Sequence, residues 1–505
     1  ALEAVANKVT VTVKVAADCR MGEHFAQVRT ATGISEYKSF FVGPFANVVE
    51  VEPNGDFTEA QALDNSVTVN GIVQNEDVDY YVVDAKKGER ISVEVEGMRL
   101  GSTFFDPYVA ILDAARFELS AGDDSPLVFQ DAVASAIAKE DGKYYIEVRE
   151  SAYGGNGNCR YRLHVGSFPR PIAVYPAGGK IGEATEVRFI GDPTGDIVTT
   201  VTAPPAVVDS YSIHAQDATG IAPTGNPFRV SDFGNSMEVE PNNSLAESSP
   251  AELPNAFNGI IQEPGDIDFF EFEGKKGQAY EVECFARRIR SALDPVMNLY
   301  DATGKGLAGS DDSRGPDSYF GFTVPADGKY RIRVTDHLSR GGPGFVYRVE
   351  FHPKKPVLSL NIPRVARYSQ YRQTIYVARG NRFATLMNAS RANFGGELTL
   401  AGNDLPLGIT LVAPNMRANM NSMPVVFEAA PDAPLGGKLV DFQARHIDPA
   451  TGIVGGFKNT ADMIQSGPGQ SIYWRGDVNR LAVAVVEELP FEIQIVQPKA
   501  PIVRN

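Results

Sequence analysis

The sequence predicts an all-β protein, an elongated multi-domain string of tandem β-sandwiches, and three observations carry that expectation. Apolar and polar residues alternate with period two, glycine and proline punctuate the chain, and no amphipathic helix of 12 or more residues stands out. Val9-Thr10-Val11-Thr12-Val13-Lys14-Val15 sets every valine on one face of an extended segment. Ile91-Ser92-Val93-Glu94-Val95-Glu96 and Tyr280-Glu281-Val282-Glu283-Cys284 do the same, and all three read as half-buried antiparallel strands. Turn signals at Lys86-Lys87-Gly88, Asp141-Gly142, Asp301-Ala302-Thr303-Gly304 and Asp327-Gly328 fall between such strands at sandwich-like spacing.

With 505 residues, 43% of them hydrophobic, the chain can bury several separate cores, roughly three to four at about 150 residues each. It has no run of about 18 apolar residues, so no transmembrane segment is expected in it, and ALEAVANKVT lacks the pattern of a secretory signal. A net charge of −16 repels a phosphate backbone, which excludes nucleic acid as a natural partner. Cys19, Cys159 and Cys284 are odd in number and far apart, so they form no readable disulfide framework or metal knuckle, and each reads as a small buried hydrophobe.

Compared with itself, the chain repeats. Glu50-Val51-Glu52-Pro53-Asn54 returns 188 residues later as Glu238-Val239-Glu240-Pro241-Asn242. Asp77-Val78-Asp79-Tyr80-Tyr81 returns as Asp266-Ile267-Asp268-Phe269-Phe270, and Asp106-Pro107 as Asp294-Pro295. Asp123-Asp124-Ser125, Asp141-Gly142-Lys143-Tyr144 and Tyr161-Arg162 return in the same order as Asp311-Asp312-Ser313, Asp327-Gly328-Lys329-Tyr330 and Tyr347-Arg348. Upstream, Ala31-Thr32-Gly33-Ile34 matches Ala218-Thr219-Gly220-Ile221, so the repeating unit is a pair of modules. The first copy of the leading module lacks an opening strand or two, and a half sandwich exposes an apolar face. The chain is therefore expected to be a processed or incomplete piece of something longer. Phe491-Glu492-Ile493-Gln494-Ile495-Val496-Gln497-Pro498 reads as a final strand running into a linker.

Charge follows these boundaries: residues 50–168 hold 22 Asp and Glu against 10 Lys and Arg, whereas 357–505 hold 11 against 14. The acidity belongs to the repeats. One reading is a solvated face that keeps the chain soluble; the other is a cluster built for a cation. Glu-x-Glu-Pro-Asn puts Glu50, Glu52 and Asn54, or Glu238, Glu240 and Asn242, on alternate positions of an extended segment, where the proline helps hold the preceding residue extended. About 25 residues on, Asp77 and Asp79, or Asp266 and Asp268, alternate at the start of a strand. Hard oxygen donors without histidine or thiolate suit Ca²⁺, which takes roughly 6–8 oxygens at about 2.3–2.6 Å, better than Zn²⁺. A single Glu-x-Glu is ordinarily a surface turn or cap; the same set twice in register is harder to explain that way.

These phrases, with G-x-(I/V) before the D-x-D, then D-D-S, D-G-K-Y and G-G-x-G-x-x-Y-R, resemble the bacterial pre-peptidase C-terminal domain, and are similar to the collagen-binding domain of clostridial collagenases. The resemblance covers about 50–168 and 236–353. It implies jelly-roll-like β-sandwiches appended to secreted enzymes and surface proteins, hence an extracytoplasmic location: cell surface, periplasm or secreted. It also implies calcium held by the segment leading into each domain. By position the ligands fall on Glu50, Glu52, Asn54, Asp77 and Asp79, and on Glu238, Glu240, Asn242, Asn243, Asp266 and Asp268. The first copy departs from the pattern at Gly55, which implies a weaker site there. Asp123-Asp124 and Asp311-Asp312 are further candidates that a tight turn explains equally well. Tyr144, Tyr161, Tyr330 and Tyr347 lie on strands that in the collagenase relatives present aromatic residues to ligand, although alternation alone places half of them in the core.

The expected modules are a partial Ig-like domain at 1–45, a first repeat sandwich at 46–168, a small Ig-like domain similar to IPT/TIG types at 169–235, a second repeat sandwich at 236–353 and an Ig-like sandwich at 354–505. No H-E-x-x-H, G-x-S-x-G or P-loop occurs and the six histidines are scattered, so no catalytic centre is expected. His164 reads as a solvent-facing strand residue. Arg475-Gly476-Asp477 reads as a chance tripeptide beside a core Trp474. The expected function is that of a non-catalytic, calcium-binding, structural or adhesive component of a bacterial surface or extracellular assembly, with surface proteins or polysaccharide as partners and self-assembly open. The alternatives are a binding module for polysaccharide or collagen-like protein, and the accessory region of a larger secreted hydrolase.

Overall fold

The computed structural model describes residues 2–5, 8–208, 210–364, 373–465 and 471–491. Their regular elements are β-strands and short 3-10 turns, so the all-β expectation holds. The chain divides into two units, Ala1–His24 with Ser39–Lys354, and Phe25–Lys38 with Lys355–Asn505.

In the first unit the 188-residue repeat is a repeat of topology. One five-stranded sheet orders Val133–Ile137, Arg90–Glu96, Arg160–Gly166, Val67–Ile72 and Ala46–Val49; the other orders Glu118–Gly122, Pro107–Leu112, Gly142–Glu150, Val78–Ala85 and Gln61–Ala62. The second copy repeats this strand for strand, from Tyr319–Thr323, Ala279–Phe285, Val346–Pro353, Ala256–Ile260 and Asn235–Met237 to Gly306–Ser310, Pro295–Asp301, Gly328–Asp336, Asp268–Gly274 and Ser249–Pro250. Alternation sets the cores: along Gly142–Glu150 the buried apolar side chains are Tyr144, Ile146 and Val148, and along Gly328–Asp336 they are Tyr330, Ile332 and Val334. Gly88 and Gly277 adopt φ of +88° and +86°, so the turns after Val78–Ala85 and Asp268–Gly274 favour residues without a Cβ.

Arg90–Glu96, expected to be half-buried, is buried on both faces. The polar face is covered by the segment around 169–235, whose strands Ala173–Tyr175, Ala184–Ile190 and Ile197–Thr202 surround Val174, Val187, Phe189, Phe228 and Val230. Arg90 bonds Asp192 at 2.8 Å and Asp217 at 2.6 Å, and Glu94 binds both Arg99 and Arg170. His164 is likewise fully buried rather than solvent-facing, 2.8 Å from Thr68 Oγ1 and 3.2 Å from Glu96. By contrast Val9, Val11, Val13 and Val15 remain exposed, and among the described residues Lys8–Val11 pairs with Leu2–Val5 alone.

In the second unit, Val357–Asn361, Arg382–Ala392, Ser422–Ala429 and Ile409–Val412 form one sheet. Ile375–Ala378, Leu481–Val486, Gly436–His446 and Leu398–Asn403 form another around the same core, which includes Leu360, Val425, Phe427, Phe442 and Val483. A separate ribbon, Asn459–Gln465 with Ile472–Val478, packs Ala461 and Val478 on Tyr37 and Phe25. Residues 25–38, read from sequence as part of a leading module, thus pack with the C-terminal ribbon. Arg475-Gly476-Asp477 lies within that ribbon rather than on a loop, and Trp474 is half-buried. Cys159 and Cys284 are buried as expected, but Cys19 is partly exposed. The expected strand beyond Phe491 falls on 492–498, outside the described residues.

Candidate metal centres

Each Glu-x-Glu-Pro-Asn segment continues an edge strand that runs parallel to its neighbour, Ala46–Val49 beside Val67–Ile72 and Asn235–Met237 beside Ala256–Ile260. Glu50 N donates to Asn70 O at 3.1 Å and Glu238 N to Asn258 O at 3.0 Å. The ladder fixes the first glutamate, whose carboxylate then accepts a backbone N–H from the same neighbour: Ile72 N to Glu50 Oε2, and Ile260 N to Glu238, each at 3.0 Å. Two residues on, Glu52 Oε2 accepts Asn54 N at 3.0 Å and Glu240 Oε2 accepts Asn242 N at 2.9 Å. The asparagine carbonyls accept Tyr80 N and Phe269 N, both at 3.0 Å, which ties the segment to the strand carrying the aspartates.

The result is an oxygen-lined recess in each sandwich. Carboxylate oxygens of Glu52, Asp77 and Asp79 lie within 4.8 Å of one another, as do those of Glu238, Glu240 and Asp268. Asn54, Asp79, Asn242 and Asp268 are fully buried. Tyr161 Oη donates to Asp79 Oδ2 and Tyr347 Oη to Asp268 Oδ2, both at 2.6 Å, but Asp79 Oδ1, Asp268 Oδ1, Asn54 Oδ1 and Asn242 Oδ1 meet no donor in the protein. A buried acceptor without a donor costs about 1–3 kcal/mol. Two such oxygens in each of two matching recesses fit a hard cation, because a metal supplies positive charge to several lone pairs at once. Burial, with the neighbouring Glu50 and Asp77 charges, pushes Asp79 up to about 9 against the pull of Tyr161. Burial and the Glu238 charge push Asp268 to about 9, and burial and Glu240 push Glu238 to about 8.

The recesses gather most of the expected ligands, with differences. Glu50 stands outside the first acidic trio, where it accepts Tyr81 Oη at 3.1 Å and lies 2.7 Å from Tyr161 Oη, whose single proton it shares with Asp79 as alternative acceptors. Asp266 stands outside the second trio, where its oxygens accept Gln262 N at 2.6 Å and Ile267 N at 2.8 Å, while Asn243 Oδ1 accepts Ile267 N at 3.1 Å. Asp123 and Asp311 bond the next residue's backbone N–H, at 2.9 and 2.7 Å, as turn residues do.

The tyrosine expectation is corrected. Tyr144, Tyr161, Tyr330 and Tyr347 are all buried and offer no aromatic platform. Tyr144 and Tyr330 point their hydroxyls at Glu140 O and Ala326 O, at 2.9 and 2.7 Å, because an inward strand position needs a partner for the Oη. Tyr161 and Tyr347 instead hold the recess aspartates. Gly71 and Gly259 also belong to the sites: a Cβ there would overlap Tyr161 and Glu50, or Tyr347 and Glu238. Both glycines stand in the repeated G-x-(I/V) phrase, which was the available signal.

Fold and recess together define a β-sandwich module with an acidic oxygen cluster on its entry segment. Residues 266–336 match the family model of the bacterial pre-peptidase C-terminal domain, and the chain carries that domain. A probable subtilase-type serine protease of Deinococcus radiodurans is 41% identical over 99 residues, which are 19% of this chain and 14% of that protein. The chain thus spans a small part of that relative's length. Among solved structures, the pre-peptidase C-terminal domain of a Bacillus anthracis collagenase aligns with 22% of this chain and 99% of its own, at 15% identity and a TM-score of 0.19. Surface layer protein SbsC, domains 1–6, aligns with 81% of this chain and 55% of its own, at 11% identity and a TM-score of 0.16.

Proposed function

We propose that both recesses bind Ca²⁺ and that the chain is a non-catalytic, exported structural or adhesive component of a bacterial surface or extracellular assembly. The observation that carries this is the duplicated pair of buried, donorless oxygens, Asn54 Oδ1 with Asp79 Oδ1 and Asn242 Oδ1 with Asp268 Oδ1. Glu52, Asp77 and Asp79 hold the first ion with Asn54; Glu238, Glu240 and Asp268 hold the second with Asn242. The all-oxygen donor set favours a hard divalent ion over zinc. The division into modules at 1–45, 46–168, 169–235, 236–353 and 354–505 is part of this reading. Each ion joins the entry segment to the strand carrying the aspartates, so binding stiffens the junction where one module hands over to the next. Among the described residues no helix is long and apolar enough to cross a membrane.

Calorimetry tests the proposal: added Ca²⁺ raises the melting temperature of EDTA-stripped protein, and a temperature indifferent to both reagents sinks it. A second reading, the accessory binding region of a larger secreted hydrolase, is supported by the match to a subtilase-type protease. A full-length gene product without a hydrolase segment removes it.

A further inference from the structure

The two recesses carry different side chains at one matching position. Two residues after Asp79 stands Tyr81, and two residues after Asp268 stands Phe270; both are fully buried in the matching sandwich cores. Tyr81 Oη donates to Glu50 Oε1 at 3.1 Å and touches Tyr161 Oη, while Glu50 Oε2 accepts Ile72 N at 3.0 Å. Protein donors thus engage both oxygens of that carboxylate. Phe270 has no hydroxyl and sits edge-on to Tyr347, with ring centroids 6.5 Å apart. The carboxylate of Glu238, the counterpart of Glu50, meets Ile260 N at 3.0 Å with each oxygen and, among the described residues, accepts no hydroxyl. The acidic trios follow this difference: Glu238 belongs to its own, and Glu50 stands outside the other.

A carboxylate oxygen that already accepts a hydroxyl gives up that bond before it turns to an ion, and bonds to a charged acceptor are stronger than neutral ones. The metal-free first recess has two hydroxyls, of Tyr81 and Tyr161, for Glu50 and Asp79, whereas the second has that of Tyr347 alone for Glu238 and Asp268. A cation therefore gains less on entering the first. We propose that Tyr81 is a positioning residue whose hydroxyl holds Glu50 back from the first recess and so sets calcium affinity there below that of the second. This role rests on the calcium reading and adds to it a side chain that makes the two sites unequal. The fold does not depend on the hydroxyl, because Phe270 fills the same core position in the second copy without one.

The test is calorimetric titration of the whole chain with Ca²⁺, one site at a time. Asp268→Asn leaves the first site to be read, and Asp79→Asn leaves the second. In the first background Tyr81→Phe, which removes the hydroxyl and keeps the ring, tightens calcium binding roughly tenfold. In the second, Phe270→Tyr supplies a hydroxyl beside Glu238 and weakens binding by a similar factor. Tyr144→Phe, which removes a hydroxyl bonded to Glu140 O in the first sandwich, leaves the first site unchanged. Melting temperatures separate positioning from mere support of the fold: Tyr81→Phe lowers the melting temperature in EDTA more than in saturating Ca²⁺, whereas a hydroxyl that only supports the fold lowers both alike. Circular dichroism of each variant verifies the fold, and where Phe270→Tyr does not fold, Tyr81→Phe decides. Calcium affinity at the first site that is unchanged or weaker in folded Tyr81→Phe overturns the role of Tyr81 and leaves the calcium reading standing. Absence of calcium binding in the wild-type chain and in both backgrounds overturns the calcium reading, and the role of Tyr81 with it.

Discussion

At the scale of single residues, the two recess aspartates explain why the chain spends so much polarity inside apolar sandwiches. Asp79 and Asp268 are fully buried with one oxygen bonded to a tyrosine and the other bonded to nothing in the protein. Burial raises both to about 9, so the metal-free fold binds protons more tightly than the unfolded chain does. Their contribution to metal-free stability is therefore fully present below the ordinary carboxyl value and is lost as pH rises through about 9. The melting temperature in EDTA is expected to fall across that window from these groups, whereas saturating Ca²⁺ flattens the fall and releases protons on binding. Thermal melts at a series of pH values, with and without chelator, check the sign. Gly259 makes a second residue-level prediction. Gly259→Ala forces Tyr347 or Glu238 to move, destabilises by about 1–3 kcal/mol as overpacking does, and weakens Ca²⁺ binding at the second recess. Urea unfolding and metal titration read the two effects separately.

At the scale of elements, burial of both faces of Arg90–Glu96 is where period-two reading falls short. Alternation in Ile91-Ser92-Val93-Glu94-Val95 correctly identifies the strand and its core-facing residues, but it assigns the other face to water. That face carries an ion network instead, with Arg90 on Asp192 and Asp217, and Glu94 shared by Arg99 and Arg170. Charged residues on a strand look alike in sequence whether solvent or another module covers them, since the pattern records polarity and not the neighbour. Breaking such a buried pair leaves a charge without its partner, so Arg90→Ala is expected to cost about 3–5 kcal/mol. Removing the exposed Lys180–Glu183 pair by Lys180→Ala costs about 0–1 kcal/mol. Parallel denaturant titrations compare the two.

At the scale of the whole molecule, the repeat predicts stoichiometry. Two recesses of the same construction imply two calcium ions per chain, and Asp268→Asn reduces that to one while leaving the first site occupied. Native mass spectrometry after calcium exchange counts them, and a single ion in the wild-type chain contradicts the duplication. The first site is expected to be the weaker, because Gly55 stands where Asn243 in the second copy ties the entry loop to Ile267 N. The net charge of −16 moves toward zero as the ions bind, so calcium also lowers self-repulsion.

The sequence by itself determined the all-β class, the two-copy register and where the oxygen-bearing phrases recur, because alternation, turn residues and recurring phrases are properties of the chain read locally. Only the tertiary structure decided which carboxylates meet, that Glu50 and Asp266 stand aside from the acidic trios, and that Tyr161 and Tyr347 serve the recesses from inside. The physical reason is that one strand dictates which way a side chain points, while its partner is supplied by another strand whose register is set only when the sheets pair and close over their core.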